Sequence, residues 1–305
     1  MTLIAHISDL HFGRIDQTVA DALALALLAA QPEILVVSGD LTQRARTEEF
    51  VAAKAFLDGL PFAKLVVPGN HDVPLYNLFK RAFLPLSRYR RYIQADTDPF
   101  LAVPNLAIAG INTARSLKVK GGRINCDQLE DVARRFAGLP ESTARIVVTH
   151  HPFEGAMPQD DDGIVGRADR AMNAFSRSQV DLILSGHLHL NRIGLSAVRY
   201  KIEGYSALLL QAGTAISSRR REEANSFNLI HIRRPDVQLE CRSWDFRTSA
   251  FVTTATEHFR LGITGWRPAG DSSVETIVQD AGEEVIHSEA RPIDQVIEPT
   301  IPSMR

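Results

Sequence analysis

Short apolar runs recur along this chain at Leu3–Ile7, Ile34–Val37, Lys64–Val67, Leu106–Ile111, Arg145–Thr149 and Asp181–Leu184. Runs this short, rich in β-branched residues and bounded by turn formers, predict strands. Stretches of helical character lie between most of them. Asp16–Ala30 is rich in Ala and Leu and closes before Pro32, and Glu48–Gly59 carries Phe50, Val51, Phe56 and Leu57. Asn125–Gly138 opens on Asn125 with Gln128 three residues later, a capping-box arrangement, and Ala168–Ser178 is a fourth such stretch. Strands alternating with helices predict an α/β architecture with substantial parallel pairing.

The texture changes after residue 190. Ala197–Glu203, Ala207–Gln211, Phe227–Arg233 and Val237–Asp245 read as strands joined by short loops, so the second half is expected to be more antiparallel. From about Thr253 the chain turns polar and carries Pro268, Pro292, Pro299 and Pro302. A main domain over residues 1–250 and a polar C-terminal extension over 251–305 are therefore expected. Residues 270–305 read as an extended tail, a candidate arm for contacting another subunit in a homo-oligomer.

One further stretch mixes two patterns. Leu75, Leu78, Phe79, Ala82, Phe83 and Leu86 recur at helical spacing, and Pro85 should kink or end that helix. Beyond it, Arg88, Arg90 and Arg91 interleave with Tyr89 and Tyr92, a mixture able to stack on a base and attract an anion. Residues 75–93 are thus a candidate substrate entrance with Arg88, Arg90 and Arg91 as substrate contacts. The competing reading is a helix docked on the core with a solvated basic end.

Composition narrows the class. The hydrophobic and charged fractions, 45% and 23%, suit a soluble globular protein with a full core. The formal net charge of −2 supplies no global reason to expect long nucleic acid as a partner. Cys126 and Cys241 are too few for a disulfide framework or a thiolate metal site. The opening MTLIAHISDLHFG reads as strand rather than signal peptide, and the Ala20–Ala30 run is too short to span a bilayer. The expectation is a cytoplasmic protein without a membrane partner.

The chemistry is concentrated at the ends of the apolar runs. Asp9-Leu10-His11, Gly39-Asp40, Gly69-Asn70-His71-Asp72, His150 and Gly186-His187-Leu188-His189 follow them in that order. Ligands of open α/β sheets gather outside the carboxyl ends of the strands, where these groups fall. Extended residues at i and i+2 project to one side, so Asp9 with His11, and His187 with His189, could each address one centre. Carboxylate, imidazole and amide oxygen together suit Mn, Fe or Zn better than Ca. Asp40 stands alone on its loop and is the natural carboxylate to bridge two cations. Glycines at 39, 69 and 186 permit tight turns and close backbone approach. His6 sits mid-strand and reads as a hydrogen-bonded core histidine. Asp72 reads as a loop holder or as a group that orients an imidazole, and His151 as an alternative ligand or a neighbour of the site, with the motif favouring His150.

The ordered set DLH, GD, GNHD, HH and GHLH, over roughly residues 1–245, resembles the calcineurin-like metallophosphoesterase family. The details around GNHD and HHP are most similar to its bacterial cyclic-nucleotide and glycerophosphodiester phosphodiesterase branch, although Val73-Pro74 stands where that branch often has arginine. The resemblance implies a four-layer αββα sandwich of two mixed sheets flanked by helices. It implies two divalent metal ions, one held by Asp9, His11, Asp40 and His189, the other by Asp40, Asn70, His150 and His187. His71 would be the catalytic histidine near the leaving group. Such a pair of cations lowers the pKa of a shared water and neutralises phosphate oxygens during in-line attack.

The implied substrate is a small phosphodiester, a cyclic nucleotide or a glycerophosphodiester. No basic cluster neighbours the metal motifs in sequence to hold the extra charge of a monoester, so diester preference is expected. The alternatives within the superfamily are a UDP-sugar-lipid pyrophosphatase, which would want an apolar crest such as residues 75–93, and a nuclease. A non-catalytic scaffold is the reading from another class, and the complete ligand set argues against it.

Overall fold

The computed structural model describes residues 1–269 apart from 77, 117–120, 158–160, 162 and 219–222. Residues 270–305, including the expected subunit arm, lie outside the described residues. In chain order the fold begins with β1 (Thr2–Ile7), α1 (Gln17–Ala30), β2 (Ile34–Val37), α2 (Thr47–Asp58) and β3 (Ala63–Val66). Two short helices follow, α3 (Leu78–Phe83) and α4 (Ser87–Tyr92). The middle of the chain supplies β4 (Phe100–Val103), β5 (Leu106–Gly110), α5 (Cys126–Phe136), β6 (Ala144–Val148), α6 (Ala168–Arg177) and β7 (Leu182–Ser185). The last part adds β8 (Arg192–Leu195), the single turn α7 (Ser196–Arg199), β9 (Leu208–Gln211) and β10 (Ser226–Arg233). It closes with β11 (Asp236–Asp245), β12 (Ala250–Gly262) and β13 (Gly265–Pro268).

These strands form a seven-stranded sheet, β13-β12-β11-β10-β1-β2-β3, and a six-stranded sheet, β4-β5-β6-β7-β9-β8. Both are mixed: β1-β2-β3 and β5-β6-β7-β9 pair in parallel, and the remaining pairs are antiparallel. Alternation along each strand divides its side chains between two cores. In β2, Leu35 and Val37 pack with α1 and α2, whereas Ile34 and Val36 enter the core between the sheets. In β6, Ile146 and Val148 face that central core and Val147 faces α5 and α6. Burial on both faces explains why these strands read as unbroken apolar runs. The result is four layers, with α1 and α2 on one sheet and α5 and α6 on the other.

Local signals set the helix ends. The Asp16 side chain accepts from the amides of Thr18 and Val19 at 3.1 and 3.4 Å, capping α1. The Asn125 amide donates to Gln128 Oε1 at 2.9 Å, as the capping-box spacing predicts.

Three sequence expectations change. Ala197–Glu203 is not a strand: Ser196 Oγ accepts the Ala207 amide at 2.8 Å, and the chain takes the helical turn α7. That bond joins residues eleven positions apart, so a tertiary contact overrides the β-branched pattern there. The boundary expected at residue 250 falls inside the larger sheet, since β12 and β13 continue it to Pro268. Thr253–His258 are polar because they are exposed, while Phe251, Phe259 and Trp266 anchor the two strands in the cores. Lastly, residues 75–93 form two short helices that break around Pro85, as expected, but their apolar positions do not make one face. α3 ends at Phe83, just before Pro85, and Leu86 and Tyr89 are buried while Phe79 and Phe83 are exposed.

Candidate metal centre

The carboxyl ends of β1, β2 and β3 in one sheet meet those of β6 and β7 in the other. They deliver Asp9 and His11, Asp40, Asn70 and His71, His150, and His187 and His189 respectively. Five of these residues leave the extended conformation for the left-handed region: Asp9 (φ 52°), His11 (51°), Asp40 (52°), His187 (75°) and His189 (61°). Such backbone costs about 1–3 kcal/mol per residue and clusters at functional sites. Asp9 and His11 therefore converge through tight turns, not through strand alternation as the sequence reading assumed. Two of the neighbouring glycines have a steric reason: a Cβ on Gly69 would overlap the Asp40 carboxylate, and one on Gly186 would overlap that of Asp9.

The first donor group is Asp9, His11 and His189 with one oxygen of Asp40. Asp9 Oδ2 is anchored, accepting from Ser8 Oγ at 2.6 Å and from the His187 amide at 2.9 Å. Its Oδ1 faces His189 Nε2 at 3.2 Å and His11 Nε2 at 3.7 Å, without an aligned hydrogen bond. His11 Nε2 and His189 Nε2 stand 3.1 Å apart, and Asp40 Oδ2 lies 3.9 Å from His11 Nε2. The second group surrounds His150 Nε2, with Asn70 Oδ1 at 3.0 Å, Asp40 Oδ1 at 3.3 Å and His187 Nδ1 at 3.3 Å. His150 Nδ1 donates to the Ser38 carbonyl at 2.8 Å, which leaves Nε2 as the atom offered to the cluster. Asp40 thus stands between the groups. His187 and His189 divide between them, which corrects the idea that adjacent histidines share one centre.

The electrostatics fit a cation ligand set. Burial would raise the Asp9 carboxyl, but His189 and His150 outweigh it and hold it well below the usual carboxylate range. Burial acts on Asp40 in the same sense and is overcome by His150, His71 and His11, so it too stays ionised. Burial pulls His11 down to about 4 against Asp40 and Asp9, and it pulls His187 down to about 4 with help from His150. Both imidazoles are therefore neutral and keep a lone pair. Burial also disfavours charge on His150, but Asp40 raises it to about 9. A cation entering there must displace that proton. Two ionised carboxylates, an amide oxygen and the neutral imidazoles of His11 and His187, with Asp9 Oδ1 buried and unbonded, suit a divalent transition metal.

His71 stands at the rim, half-buried, with its ring edge-on to His11 at 4.9 Å between centroids. Its Nδ1 donates to the Gln43 carbonyl at 2.8 Å, so Nε2 is the nitrogen free to carry or release a proton. Asp72 accepts from Thr42, Leu41 and Gly69 and so ties the Asp40 loop to the Asn70 loop. His151 Nδ1 engages Thr113 Oγ1 at 2.7 Å, and its ring packs 4.5 Å from that of His187. His6 is fully buried against Ser38 Oγ at 2.9 Å, with burial pulling it down to about 3. Sequence reasoning missed Ser8, Ser38, Gln43, Thr113 and Thr214, the last donating to the Asp9 carbonyl at 2.7 Å. Among these Ser8, beside Asp9, and Ser38, just before Gly39-Asp40, carried a positional signal.

Among the described residues, Arg88, Arg90 and Arg91 share no hydrogen bond or ion pair with the cluster. Arg88 donates to the Ala45 carbonyl at 2.7 Å, and Arg90 and Arg91 are exposed on α4. Neither interleaved tyrosine is presented to a base. Tyr89 is fully buried with its hydroxyl on the Val66 carbonyl, and Tyr92 stacks on Phe50.

Residues 2–191 match the family model described as calcineurin-like phosphoesterase. The glycerophosphodiester phosphodiesterase GpdQ of Enterobacter lignolyticus is 38% identical over 81 residues, spanning 23% of this chain but only 29% of that protein. A probable cyclic nucleotide phosphodiesterase of Synechococcus sp. is 27% identical over 205 residues, 62% of this chain and 74% of that protein. Two solved structures share the fold. The purple acid phosphatase PPD1 of yellow lupin superposes with a TM-score of 0.62 at 11% identity, over 84% of this chain and 53% of that one. A dimetal phosphatase of Danio rerio gives 0.58 at 13% identity, over 83% and 98%.

Proposed function

Because the chain belongs to the calcineurin-like phosphoesterase family, we propose that it is a phosphodiesterase that works with two divalent cations on small phosphodiesters such as cyclic nucleotides or glycerophosphodiesters. The observation that carries this reading is Asp40, which turns Oδ2 toward His11 and Oδ1 toward His150 and so joins two groups of four donors. Asp9, His11, Asp40 and His189 would hold one ion, and Asp40, Asn70, His150 and His187 the other. Mn, Fe and Zn all suit this mixture of oxygen and nitrogen donors. Bound there, the cations would supply Lewis acidity toward phosphate oxygens and a lowered pKa for attacking water.

The chain's own residues do the rest. Ser8 and the His187 amide fix one Asp9 oxygen, so the other is presented without rearrangement. Ser38 fixes the tautomer of His150 in the same manner. His71, with Nδ1 committed to Gln43, offers Nε2 to protonate the departing oxygen. The names of the two relatives, one acting on glycerophosphodiesters and one on cyclic nucleotides, support a diester substrate.

The test is reconstitution of metal-free protein with Mn(II), followed by elemental analysis and a phosphoester panel. About two ions per chain are expected, as a bridged pair requires. Bis(p-nitrophenyl) phosphate should turn over faster than p-nitrophenyl phosphate, with cyclic AMP and glycerophosphocholine separating the two substrate classes. Saturation at a single ion would refute the bridge, and monoester preference would refute the diester reading.

A further inference from the structure

The approach to α3 and the helix itself carry apolar side chains that the described structure leaves uncovered. Tyr76 is 71% exposed, Phe79 68%, Phe83 71%, Leu84 52% and Leu75 38%. Five of the fifteen large apolar side chains exposed among the described residues fall within these ten positions. Scattered exposure is ordinary, whereas a contiguous patch marks an interaction surface. Phe79 and Phe83, one turn apart, touch at 5.0 Å between ring centroids, so they form one face.

The charge of this segment is one-sided. Between Val73 and Ala95 there are five basic residues and no acidic one, in a chain whose net charge is −2. Arg81 and Arg88 are spent on backbone carbonyls, of Pro74 and Ala45, while Arg90 and Arg91 remain exposed. Exposed Arg44 lies over the Tyr76 ring at 5.3 Å and extends the positive rim toward the loop that holds His71.

We propose that this face docks on the surface of an anionic phospholipid bilayer, with Tyr76, Phe79, Phe83 and Leu84 in the headgroup boundary and Arg44, Arg90 and Arg91 on the headgroups. Aromatic rings and basic side chains are the pairing that interfacial attachment uses. A second copy of the chain fits poorly, because a twofold interface would set this basic segment against itself. Single-stranded nucleic acid fits poorly as well: the Phe79 and Phe83 planes are tilted by 42°, and Leu75 and Leu84 offer no stacking surface. The sequence-based expectation of no membrane partner rested on the lack of a spanning segment. No described helix is long and apolar enough to cross a membrane, and surface attachment requires none.

The test uses the full chain and reads binding rather than turnover, so its outcome is independent of the proposed reaction. Vesicles of equal parts phosphatidylglycerol and phosphatidylcholine should sediment the protein, and pure phosphatidylcholine vesicles should bind it about tenfold less, or weaker still. The double change Phe79→Ser with Phe83→Ser should lower partitioning about tenfold or more, with an unchanged circular dichroism spectrum. Arg90→Gln and Arg91→Gln should each weaken it about fivefold, and added salt should act in the same direction. The proposal is overturned if anionic vesicles leave the protein in solution at low salt, or if the double-serine variant partitions like the parent. It is equally overturned if that variant dissolves a dimer of the parent, or loses binding to a single-stranded oligonucleotide that the parent prefers to vesicles.

Discussion

Asp72→Ala removes a side chain that touches none of the proposed cations but joins the two loops that would hold them. The carboxylate is 1% exposed. Its Oδ1 accepts from the Thr42 amide and hydroxyl, both at 2.9 Å, and its Oδ2 from the amides of Gly69 at 2.9 Å and Leu41 at 3.3 Å. After truncation the Thr42 hydroxyl can turn to the His71 carbonyl, which already lies at 3.3 Å. The backbone amides have no such alternative. Each buried donor left unsatisfied costs about 1–3 kcal/mol, so the two short amide contacts alone come to about 2–6 kcal/mol. An opposing term exists: burial and then the nearby Asp40 push the Asp72 carboxyl up to about 6, and its removal relieves that repulsion. The donors outnumber this single relief, and a net loss of about 2–4 kcal/mol is expected. Urea denaturation of chelator-treated protein at about pH 8, where Asp72 is ionised, measures it. Mn(II) affinity should fall about 10–100-fold, as for other residues that orient ligands. Asp72→Asn keeps one accepting oxygen and should lie between the two. Stability within about 0.5 kcal/mol of the parent, together with unchanged Mn(II) affinity, would show that the carboxylate is no clamp.

Three further outcomes follow from the same geometry. His71→Ala should retain both metal ions but lose about 10²–10⁴-fold in turnover of alkyl diesters, and less with nitrophenyl leaving groups; a collapse of metal content would make His71 a ligand instead. Asp40→Ala should deplete both ions and His189→Ala mainly one, so equal depletion in the two variants would contradict the bridge. His6, pulled from 6.5 to about 3 by burial, stays neutral in the fold, so its contribution is complete above 6.5 and declines as pH falls toward 3. That decline is up to about 1.4 kcal/mol per pH unit, and His6→Gln should flatten it in urea titrations between about pH 7 and 4.5; an unchanged slope would refute the assignment.

The parallel strands were legible because both of their faces are buried, which turns each into a short apolar run with a loop at its carboxyl end. The same logic hid β12, whose Val252–His258 stretch is exposed and whose anchors, Phe251 and Phe259, are eight residues apart. Periodicity records burial, so an element buried only at its ends looks like a tail. β4 was hidden for a related reason: its side chains alternate between exposed and half-buried positions, which leaves no sharp apolar signal.

The donor residues were legible for a topological reason. Parallel strands deliver their carboxyl ends to one edge, so a polar residue just past each apolar run is placed beside its counterparts from distant parts of the chain. What surrounds those donors was not legible. Thr214 reaches Asp9 across 205 positions, and nothing distinguishes that threonine from any other in the sequence; Ser38 adjoins Gly39-Asp40, but its position does not reveal that its carbonyl meets His150 across 112 positions. The backbone route was misread too, since Asp9 and His11 converge through left-handed turns and not through strand alternation. The Arg and Tyr mixture of residues 88–92 shows the limit most clearly. Spacing places Tyr89 on a short helix, but only the fold reveals that it is driven inward onto the Val66 carbonyl, while exposed Arg90 and Arg91 follow a helix whose Phe79 and Phe83 the described structure leaves bare. A side chain's role is decided by what lies across from it, and that neighbour is usually remote in sequence. For this reason the polar residues that gather past the strand ends could be read in advance, whereas those that orient them, and the face α3 turns to solvent, required the three-dimensional arrangement.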